Sequence, residues 1–375
     1  MDTIRMVDLT TQYNKIKQEV DQAMQEVIQS SAFINGPQVK QFQQNLADYL
    51  DVDYVVPCAN GTDALQIALM ALELNPGDEV ITPDFTFIST VEVIKLLGLK
   101  PVLVDVDKET FNLKPEGIEH AISAKTGAIV PVHLFGQCAD MNEIMRIANQ
   151  HNIPVIEDAA QALGTDFYSG ESSKKAGTIG HIGCTSFFPS KNLGCYGDGG
   201  ALFTNNEELA NTIKSIGNHG SHKKYYHDRI GVNSRLDTMQ AAILDVKLKY
   251  LDQYNKSRQW AAEQYDQGLS GISQIRVPKR NEFSSHIFHQ YTLILDESID
   301  REDFKAYLKQ KGVPSMVYYP VPIHLQNAFS DLGHSKGDFP VSEQLAQSVL
   351  SLPMHTELTE EQLERITETV KSYFK

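Results

Sequence analysis

Short apolar runs alternate with helix-like segments in the first half of the chain, and this alternation restricts the fold more than any other feature. The apolar runs lie at residues 54–57, 79–82, 101–106, 128–132 and 154–157, and segments of helical periodicity at 63–72, 88–97, 115–122 and 142–150 separate them. Continuous apolar strands separated by helices are typical of a parallel sheet covered by helices on both faces. The sequence therefore predicts an α/β fold.

The remainder of the chain predicts a second, smaller unit. A strand at 200–204, a helix at 206–216, a polar and histidine-rich loop at 218–233, one long helix at 236–265, a strand at 288–295, a helix at 301–311, an extended segment at 313–319 and a helix at 359–373 are expected. A further helix at 14–29 is expected to pack on another element or another subunit. We place the domain boundary near residue 250, which gives a large domain of residues 1–250 and a small C-terminal domain of residues 251–375.

The composition argues against several classes of protein. The 375 residues are 41% hydrophobic, yet no apolar run reaches the length of about 18 residues that a membrane span needs. The N-terminus lacks the basic and apolar regions of a signal peptide, and the four cysteines lack the spacing of a disulfide framework or a zinc site. A net charge of −15 argues against a nucleic-acid partner. We therefore expect a cytoplasmic protein that binds no metal and gathers anionic ligands with local arginines, lysines and helix N-termini.

Lys191 has unusual neighbours for a lysine, because aromatic residues and proline precede it and a glycine-rich segment follows it. In such a turn its amine is expected to be partly desolvated, which lowers the pKa and makes it a nucleophile able to form a Schiff base. Upstream, Asp158 ends a run that predicts a buried strand. The aldehyde of pyridoxal 5'-phosphate (PLP) would meet Lys191 and its ring nitrogen would meet Asp158, so the pair suggests this cofactor.

Several other candidate positions allow two interpretations. Gly61 and Thr62 follow a strand and open a helix, which suits either a phosphate site or, with Asn60, a simple N-cap. Phe87 follows another strand and either stacks on a pyridine ring or belongs to the core. Asp158 itself either pairs with a pyridinium or caps a helix at 159–163.

Two polar side chains near these positions complete the candidate site. Gln161 is placed to reach the phenolic oxygen of the cofactor, and Ser186, on the strand before Lys191, adds a hydroxyl for the phosphate. Three other patterns are weaker. The glycines at 177–183 have the wrong spacing for a dinucleotide fingerprint, residues 105–116 lack the glycine of a calcium loop, and the three histidines at 219–227 lie in a loop poor in acids.

Six blocks of the sequence resemble the DegT/StrS family, fold-type I PLP aminotransferases that act on nucleotide-linked keto sugars. The blocks are ANGTDAL at 59–65, GDEVITP at 77–83, PVHLFG at 131–136, IEDAAQ at 156–161, TSFFPSKNLGCYGDGG at 185–200 and GVNSRLD at 231–237. The resemblance runs from about residue 5 to the C-terminus. It implies a large domain with a mostly parallel sheet flanked by helices, and a smaller C-terminal α+β domain.

The resemblance also implies roles for individual residues. Lys191 holds the cofactor as a Schiff base and later moves protons, Phe87 stacks on the ring, Asp158 pairs with its nitrogen and Gln161 flanks it. The phosphate is bound by Gly61, Thr62 and Ser186, and by Asn233 reaching over from the neighbouring subunit. A homodimer is therefore implied.

Within the family, the blocks around Lys191 and Arg235 are similar to the branch that uses glutamate to aminate C3 of UDP-2-acetamido-2-deoxy-3-oxo-glucuronate for O-antigen sugars. Arg235 is then the expected partner of the sugar carboxylate. Tyr318 and Tyr319 stand where that branch tends to have a His-Tyr pair, which leaves dTDP-linked 3-oxo-6-deoxy sugars open. A PLP-dependent sugar dehydratase and a non-enzymatic regulatory protein are the remaining alternatives; the first typically lacks the lysine, and the second predicts a broken site.

Overall fold

A computed structural model describes residues 3–375 of the chain. Its α-helices are α1 (Leu9–Ser30), α2 (Pro37–Leu50), α3 (Gly61–Ala71), α4 (Ser89–Leu96), α5 (Pro115–Ala121), α6 (Met141–His151), α7 (Glu207–Ile216), α8 (Thr238–Leu248), α9 (Leu251–Leu269), α10 (Arg301–Gln310), α11 (Pro340–Ser348) and α12 (Glu360–Tyr373). Its strands are β1 (Tyr54–Cys58), β2 (Glu79–Pro83), β3 (Lys100–Val104), β4 (Thr126–Ile129), β5 (Ile156–Asp158), β6 (Asp166–Ser169), β7 (Ser172–Lys175), β8 (Ile182–Ser186), β9 (Gly200–Thr204), β10 (Ser221–Lys223), β11 (Tyr226–His227), β12 (Ile275–Arg276), β13 (Tyr291–Leu295) and β14 (Val349–Leu352).

The large sheet has the strand order β3-β2-β4-β5-β8-β9-β1. Its two parts, β3-β2-β4 and β5-β8-β9-β1, are joined by parallel bridges from Ile129 to Val155 and from Val132 to Asp158. Neighbouring strands run parallel except β9, which is antiparallel to both β8 and β1. The predicted α/β fold with a mostly parallel sheet is confirmed.

Helices cover both faces of this sheet because successive apolar residues in its strands point to opposite sides. Val80 packs with α3, α4 and α7, whereas its neighbour Ile81 packs with α5 and α6. In the same way Leu202 belongs to the first of these clusters, and Phe203 packs against α2 and α8. The carboxyl ends of the parallel strands β2, β5 and β8 consequently open at one edge, where α/β sheets bind ligands.

The C-terminal part forms a second hydrophobic core around the antiparallel sheet β12-β13-β14. Helices α9, α10 and α12 contribute Tyr265, Phe304 and Ile366 to this core, and β13 contributes Leu293. The N-terminal helix α1 packs instead on α8 of the large domain. The break between α8 and α9 supports the domain boundary that we propose near residue 250.

Two expectations about secondary structure were wrong. The helix predicted at 236–265 is two helices, because the N–H of Tyr250 bonds to the carbonyl of Lys247 rather than continuing the α-helical pattern. The loop predicted at 218–233 contains the short hairpin β10–β11. The segment 313–319, expected to be extended, pairs with β14 through an antiparallel bridge from Met316 to Ser351. In the described part of the chain, no helix is long and apolar enough to span a membrane.

Candidate active site

One cavity of about 810 Å³ brings together most of the residues that the sequence singles out. It lies at the carboxyl ends of the strands, between the large sheet and the segments 289–290 and 318–319 of the small domain. The predicted site residues that line it are Gly61, Thr62, Phe87, Asp158, Gln161, Ser186, Lys191, Tyr318 and Tyr319. Asn233 and Arg235 do not line it.

Lys191 lies in a tight turn that neighbouring elements hold in place. Its backbone N–H donates to the carbonyl of Phe188 at 2.8 Å. The side chain of Asn192 donates to Asn255 on α9 at 2.7 Å, and the buried amine of Lys247 on α8 donates to the carbonyl of Gly194. Burial lowers the pKa of Lys191 to about 8, although the charge of Asp158 opposes this shift. The amine is therefore a stronger nucleophile near neutral pH than an ordinary lysine.

Asp158 is buried at the end of β5, and both of its carboxylate oxygens are held. The hydroxyl of Thr90 on α4 donates to Oδ2 at 2.8 Å, and the backbone N–H of Ala160 donates to Oδ1 at 3.1 Å. No helix follows at 159–163, where the chain forms turns, so the alternative of a helix N-cap is wrong. The carboxylate faces the same cavity as Lys191.

The preceding residue, Glu157, explains one of the glycine patterns in the sequence. Its carboxylate accepts hydrogen bonds from the backbone N–H groups of Gly177, Ile179 and Gly180, and His133 Nε2 lies 2.7 Å from it. The glycine-rich segment 177–183 thus encloses a buried carboxylate of the neighbouring strand rather than binding a dinucleotide.

The N-terminus of α3 forms one end of the cavity. Asn60 accepts a hydrogen bond from the N–H of Asp63 at 2.8 Å, which confirms the N-cap. Gly61 approaches β8 so closely that a Cβ there would lie 2.6 Å from the Cβ of Ser186. The hydroxyls of Thr62 and Ser89 lie 2.8 Å apart. Free N–H groups at a helix start, together with these hydroxyls, form a surface suited to a phosphate.

Aromatic residues form the opposite wall. The Phe87 side chain is 53% exposed, so the interpretation of Phe87 as a core residue is wrong. Its ring centroid lies 6.1 Å from that of Tyr319. Gln161 donates through Nε2 to the Tyr319 hydroxyl at 3.1 Å and accepts at Oε1 from the N–H of Phe135 at 2.8 Å. Desolvation raises the pKa of the Tyr319 phenol, which therefore remains protonated.

The two predicted residues outside the cavity lie on one segment before α8. Asn233 is exposed, and its backbone pairs with Asn218 in an isolated bridge. Arg235 lines a different cavity of about 440 Å³, together with Lys40 and Lys214. Neither side chain reaches the Lys191 cavity of its own chain.

Thr86, His289 and Gln290 are among the cavity residues that were not predicted from the sequence. The hydroxyl of Thr86 and Nδ1 of His289 are both buried without a hydrogen-bond partner. A strand is predicted to begin at 288, but nothing in its pattern marks a histidine at its start as a cavity residue. Among residues 3–375, no three His, Cys, Asp or Glu side chains are grouped to hold a metal ion.

The residues of the cavity fit PLP in chemistry and in arrangement. An amine of lowered pKa and a carboxylate line the same space, and a helix N-terminus with close glycine approach and several hydroxyls supplies a phosphate site. The unpartnered hydroxyl of Thr86 is a buried group that a bound ligand would satisfy.

Comparisons with known proteins agree with this chemistry. The model of the DegT/DnrJ/EryC1/StrS aminotransferase family matches residues 14–371. A Pseudomonas aeruginosa protein named UDP-2-acetamido-2-deoxy-3-oxo-D-glucuronate aminotransferase is 47% identical over 352 residues, covering 94% of this chain and 95% of the relative.

Two further relatives carry different names. A Geobacillus stearothermophilus protein named pleiotropic regulatory protein is 45% identical and covers 99% of both chains. A dTDP-3-amino-3,6-dideoxy-alpha-D-galactopyranose transaminase from Aneurinibacillus thermoaerophilus is 40% identical and also covers 99% of both.

Solved structures show the same fold. DesV of Streptomyces venezuelae, crystallised with a ketimine intermediate, has a TM-score of 0.96 and 35% identity, covering 100% of this chain and 99% of that one. NtdA of Bacillus subtilis, with the bound cofactor PMP, has a TM-score of 0.89 and 34% identity, covering 96% of this chain and 82% of that one.

Proposed function

Because the chain belongs to the DegT/DnrJ/EryC1/StrS aminotransferase family, we propose that it transfers the amino group of L-glutamate to C3 of a nucleotide-linked 3-oxo sugar. It is a PLP-dependent sugar aminotransferase. The first candidate substrate is UDP-2-acetamido-2-deoxy-3-oxo-glucuronate, which appears in the name of the 47% identical relative. The aminated sugar then serves the synthesis of O-antigen lipopolysaccharide at the bacterial surface.

One observation carries this proposal: Lys191, whose pKa is lowered, lines the same cavity as Asp158, whose carboxylate is fixed by Thr90 and Ala160. A structural lysine would be expected on the surface, in an ion pair or, like Lys247, hydrogen-bonded to a backbone carbonyl. The amine of Lys191 forms neither an ion pair nor a hydrogen bond with any described residue. The amine is therefore free to react.

Bound PLP supplies an aldehyde that combines with amines and a ring that withdraws electrons from the adjacent carbon. Lys191 Nζ would hold the cofactor through its aldehyde, take the proton from the α-carbon of glutamate and later return a proton to the sugar at C3. Asp158 would place its negative charge near the cofactor nitrogen and keep that nitrogen protonated. Gly61, Thr62 and Ser186 would hold the phosphate, Phe87 would lie against the ring, and Gln161 would orient the hydroxyl side of the ring.

We also propose a homodimer in which Asn233 and Arg235 act on the site of the neighbouring subunit. Asn233 is exposed and absent from the Lys191 cavity of its own chain, as a residue used across an interface must be. Large exposed apolar side chains nearby, including Ile34 (50% exposed) and Ile230 (86% exposed), favour an interface on this side. Arg235 then supplies the guanidinium that a sugar carboxylate needs.

The chain is proposed to work in the cytoplasm. All four cysteines are buried and unpaired, as expected where thiols are kept reduced.

Two alternatives have support among the relatives. The 40% identical transaminase favours a dTDP-linked 3-oxo-6-deoxyhexose as substrate, and the 45% identical regulatory protein favours a regulatory role. The intact set of Lys191, Asp158 and Gln161 in one cavity supports the enzyme over the regulator, and the presence of Lys191 argues against a dehydratase.

The test is incubation of the purified protein with PLP, L-glutamate and a panel of UDP- and dTDP-linked 3-oxo and 4-oxo sugars. We expect 2-oxoglutarate and, from a 3-oxo sugar, the corresponding 3-amino sugar, both identified by mass spectrometry. Lys191→Ala should give no product. Arg235→Gln serves as a second variant, which should impair amination of the glucuronate far more than amination of a neutral 3-oxo sugar. Release of 2-oxoglutarate by Lys191→Ala at the wild-type rate would discard the assignment.

A further inference from the structure

His289 lines the Lys191 cavity, yet its imidazole makes no hydrogen bond with any described residue. The residue is only 5% exposed, and Nδ1 is buried without a partner. Nε2 also has no partner among the described residues, but unlike Nδ1 it is not fully buried. Buried polar side chains are nearly always paired, so an unpartnered imidazole at a ligand cavity indicates a ring that the ligand satisfies, and Nε2 is the nitrogen that a ligand can reach.

Hydrogen bonds from Arg258 and Asn192 fix the backbone around His289. Phe288 has a φ of +48°, a conformation that costs energy for a bulky residue. Nη1 of Arg258 on α9 donates to the carbonyls of Phe288 at 3.1 Å and His289 at 3.4 Å. The side chain of Asn192, next to Lys191, donates to the carbonyl of Ile287 at 3.2 Å. The histidine is thus tied both to α9 and to the turn that carries Lys191.

The position of the proton on the ring follows from burial. Desolvation, together with the charges of Lys191 and Arg258, lowers the pKa of His289 well below its usual value, so the ring is neutral. A neutral imidazole carries one proton. A buried N–H without a partner is rarer in proteins than a buried acceptor without one, so the proton belongs on Nε2. His289 therefore offers one uncharged N–H donor.

We propose that His289 donates this Nε2–H hydrogen bond to an oxygen atom of the acceptor sugar. The inference rests on the proposed function and identifies a substrate contact that it does not include. Gln290, Tyr318 and Tyr319 line the cavity beside His289, and all are uncharged hydrogen-bonding groups. This wall suits the hydroxyl, carbonyl or amide oxygens of a sugar, and the anionic parts of the substrate are left to other residues.

Measuring the glutamate half-reaction and the sugar half-reaction separately distinguishes a contact with the sugar from an effect on Lys191 or the cofactor. His289→Phe keeps a ring without a donor, and His289→Gln places an amide N–H at about the reach of Nε2. We expect the glutamate half-reaction of His289→Phe, followed by the cofactor absorbance, to stay within about twofold of wild type. The kcat/KM for the 3-oxo sugar should fall about tenfold, as for one lost neutral hydrogen bond. His289→Gln should recover part of the loss.

A binding measurement gives a readout independent of turnover. UDP-N-acetylglucosamine has a hydroxyl in place of the keto group and cannot react, and calorimetry should show it binding His289→Phe about tenfold more weakly than wild type. His355→Phe is the control for replacing a buried histidine, since His355 is 4% exposed, lies outside the cavity and accepts at Nδ1 from the N–H of Glu357 at 3.2 Å. If His289→Phe fails to fold, His289→Asn, which lacks a donor at the Nε2 position, replaces it.

Equal losses in both half-reactions would overturn the proposal, because they would mean that His289 acts on Lys191 or the cofactor. Wild-type kinetics in both would overturn it as well. A wild-type enzyme that aminates none of the sugars would instead refute the proposed function, and the role of His289 with it.

Discussion

The hydroxyl of Thr90 lies 2.8 Å from Oδ2 of Asp158 and donates a hydrogen bond to it. Both groups are buried. Thr90 lies at the start of α4, which follows β2 and the connection that contains Phe87. The orientation of the carboxylate therefore depends on a helix that is distant in sequence. Since Asp158 is proposed to present its charge to the cofactor nitrogen, we expect Thr90 to affect cofactor affinity without touching the reacting atoms.

Thr90→Val removes this donor while keeping the shape of the side chain. We expect the affinity for PLP to fall about tenfold, since a hydrogen bond to a charged group contributes about 1.5 kcal/mol or more. Titration of the cofactor-free protein with PLP, followed by absorbance, measures the change.

Thr82→Val provides the control for a buried threonine. Its hydroxyl donates to the carbonyl of Val130 at 3.0 Å, on the neighbouring strand and away from the cavity. This variant should lose stability but bind PLP as the wild type does. Equal PLP affinities for Thr90→Val and wild type would show that Ala160 alone holds Asp158.

The pKa of Lys191 gives a prediction about pH. In the cofactor-free protein the amine should become neutral around pH 8 rather than near the usual 10.5. Labelling with an amine-reactive reagent, quantified by peptide mass, should reach half of its maximal rate at Lys191 near pH 8. A half-maximum near pH 10 would mean that the amine is solvated.

The same shift affects the stability of the cofactor-free protein. Between pH 8 and about 10.5 the unfolded chain holds more protons on this amine than the folded chain, so this group makes the free energy of unfolding rise with pH in that window. Lys191→Met removes the group, and the difference in stability between this variant and wild type should shrink as the pH rises. Denaturant unfolding at several pH values measures it.

Much of this site could be predicted from the sequence, because its residues follow strands whose apolar runs are unmistakable. Asp158 and Phe87 follow such runs, and Lys191 is marked by the aromatic residues and proline before it and the glycine-rich segment after it. His289 and Thr90 could not be found in this way. Their importance depends on long-range packing of α9 and α4 against the cavity, and no local pattern records a contact between residues so far apart in sequence.

The failures in secondary structure have a similar origin. The break at Tyr250 contains neither glycine nor proline, so nothing local signals it; the Tyr250 hydroxyl instead bonds to Glu19 on α1, a contact across the fold. The hairpin β10–β11 consists of strands of three and two residues, too short to show any periodicity.

Tyr319 links the substrate wall to Gln161, and its removal should separate substrate binding from cofactor binding. Tyr319→Phe deletes the hydroxyl that accepts from Gln161 Nε2 at 3.1 Å. We expect the KM for the sugar to rise about tenfold, because the wall loses one hydrogen-bonding group, while Oε1 of Gln161 stays held by the N–H of Phe135. The absorbance maximum of the bound cofactor should shift little. Steady-state kinetics and the visible spectrum check both; an unchanged KM would remove Tyr319 from the sugar site.

Complementation between two inactive variants tests whether Asn233 acts across a dimer interface. Lys191→Ala lacks the reactive amine, and Asn233→Ala lacks the proposed phosphate ligand. In a mixed dimer, the subunit that keeps Lys191 receives Asn233 from its Lys191→Ala partner, so that site is complete. Random mixing should therefore restore about a quarter of wild-type activity, since half of the dimers are mixed and each has one complete site.

If Asn233 instead serves its own chain, every subunit that keeps Lys191 still lacks its ligand, and mixing restores nothing. The control is a mixture of Lys191→Ala with the double variant Lys191→Ala/Asn233→Ala, in which no site is complete under either arrangement. Because Asn233 is exposed and lies outside the Lys191 cavity of its own chain, we expect the arrangement across the interface. Activity in the first mixture and none in the second would therefore identify both the dimer and the chain that supplies the residue.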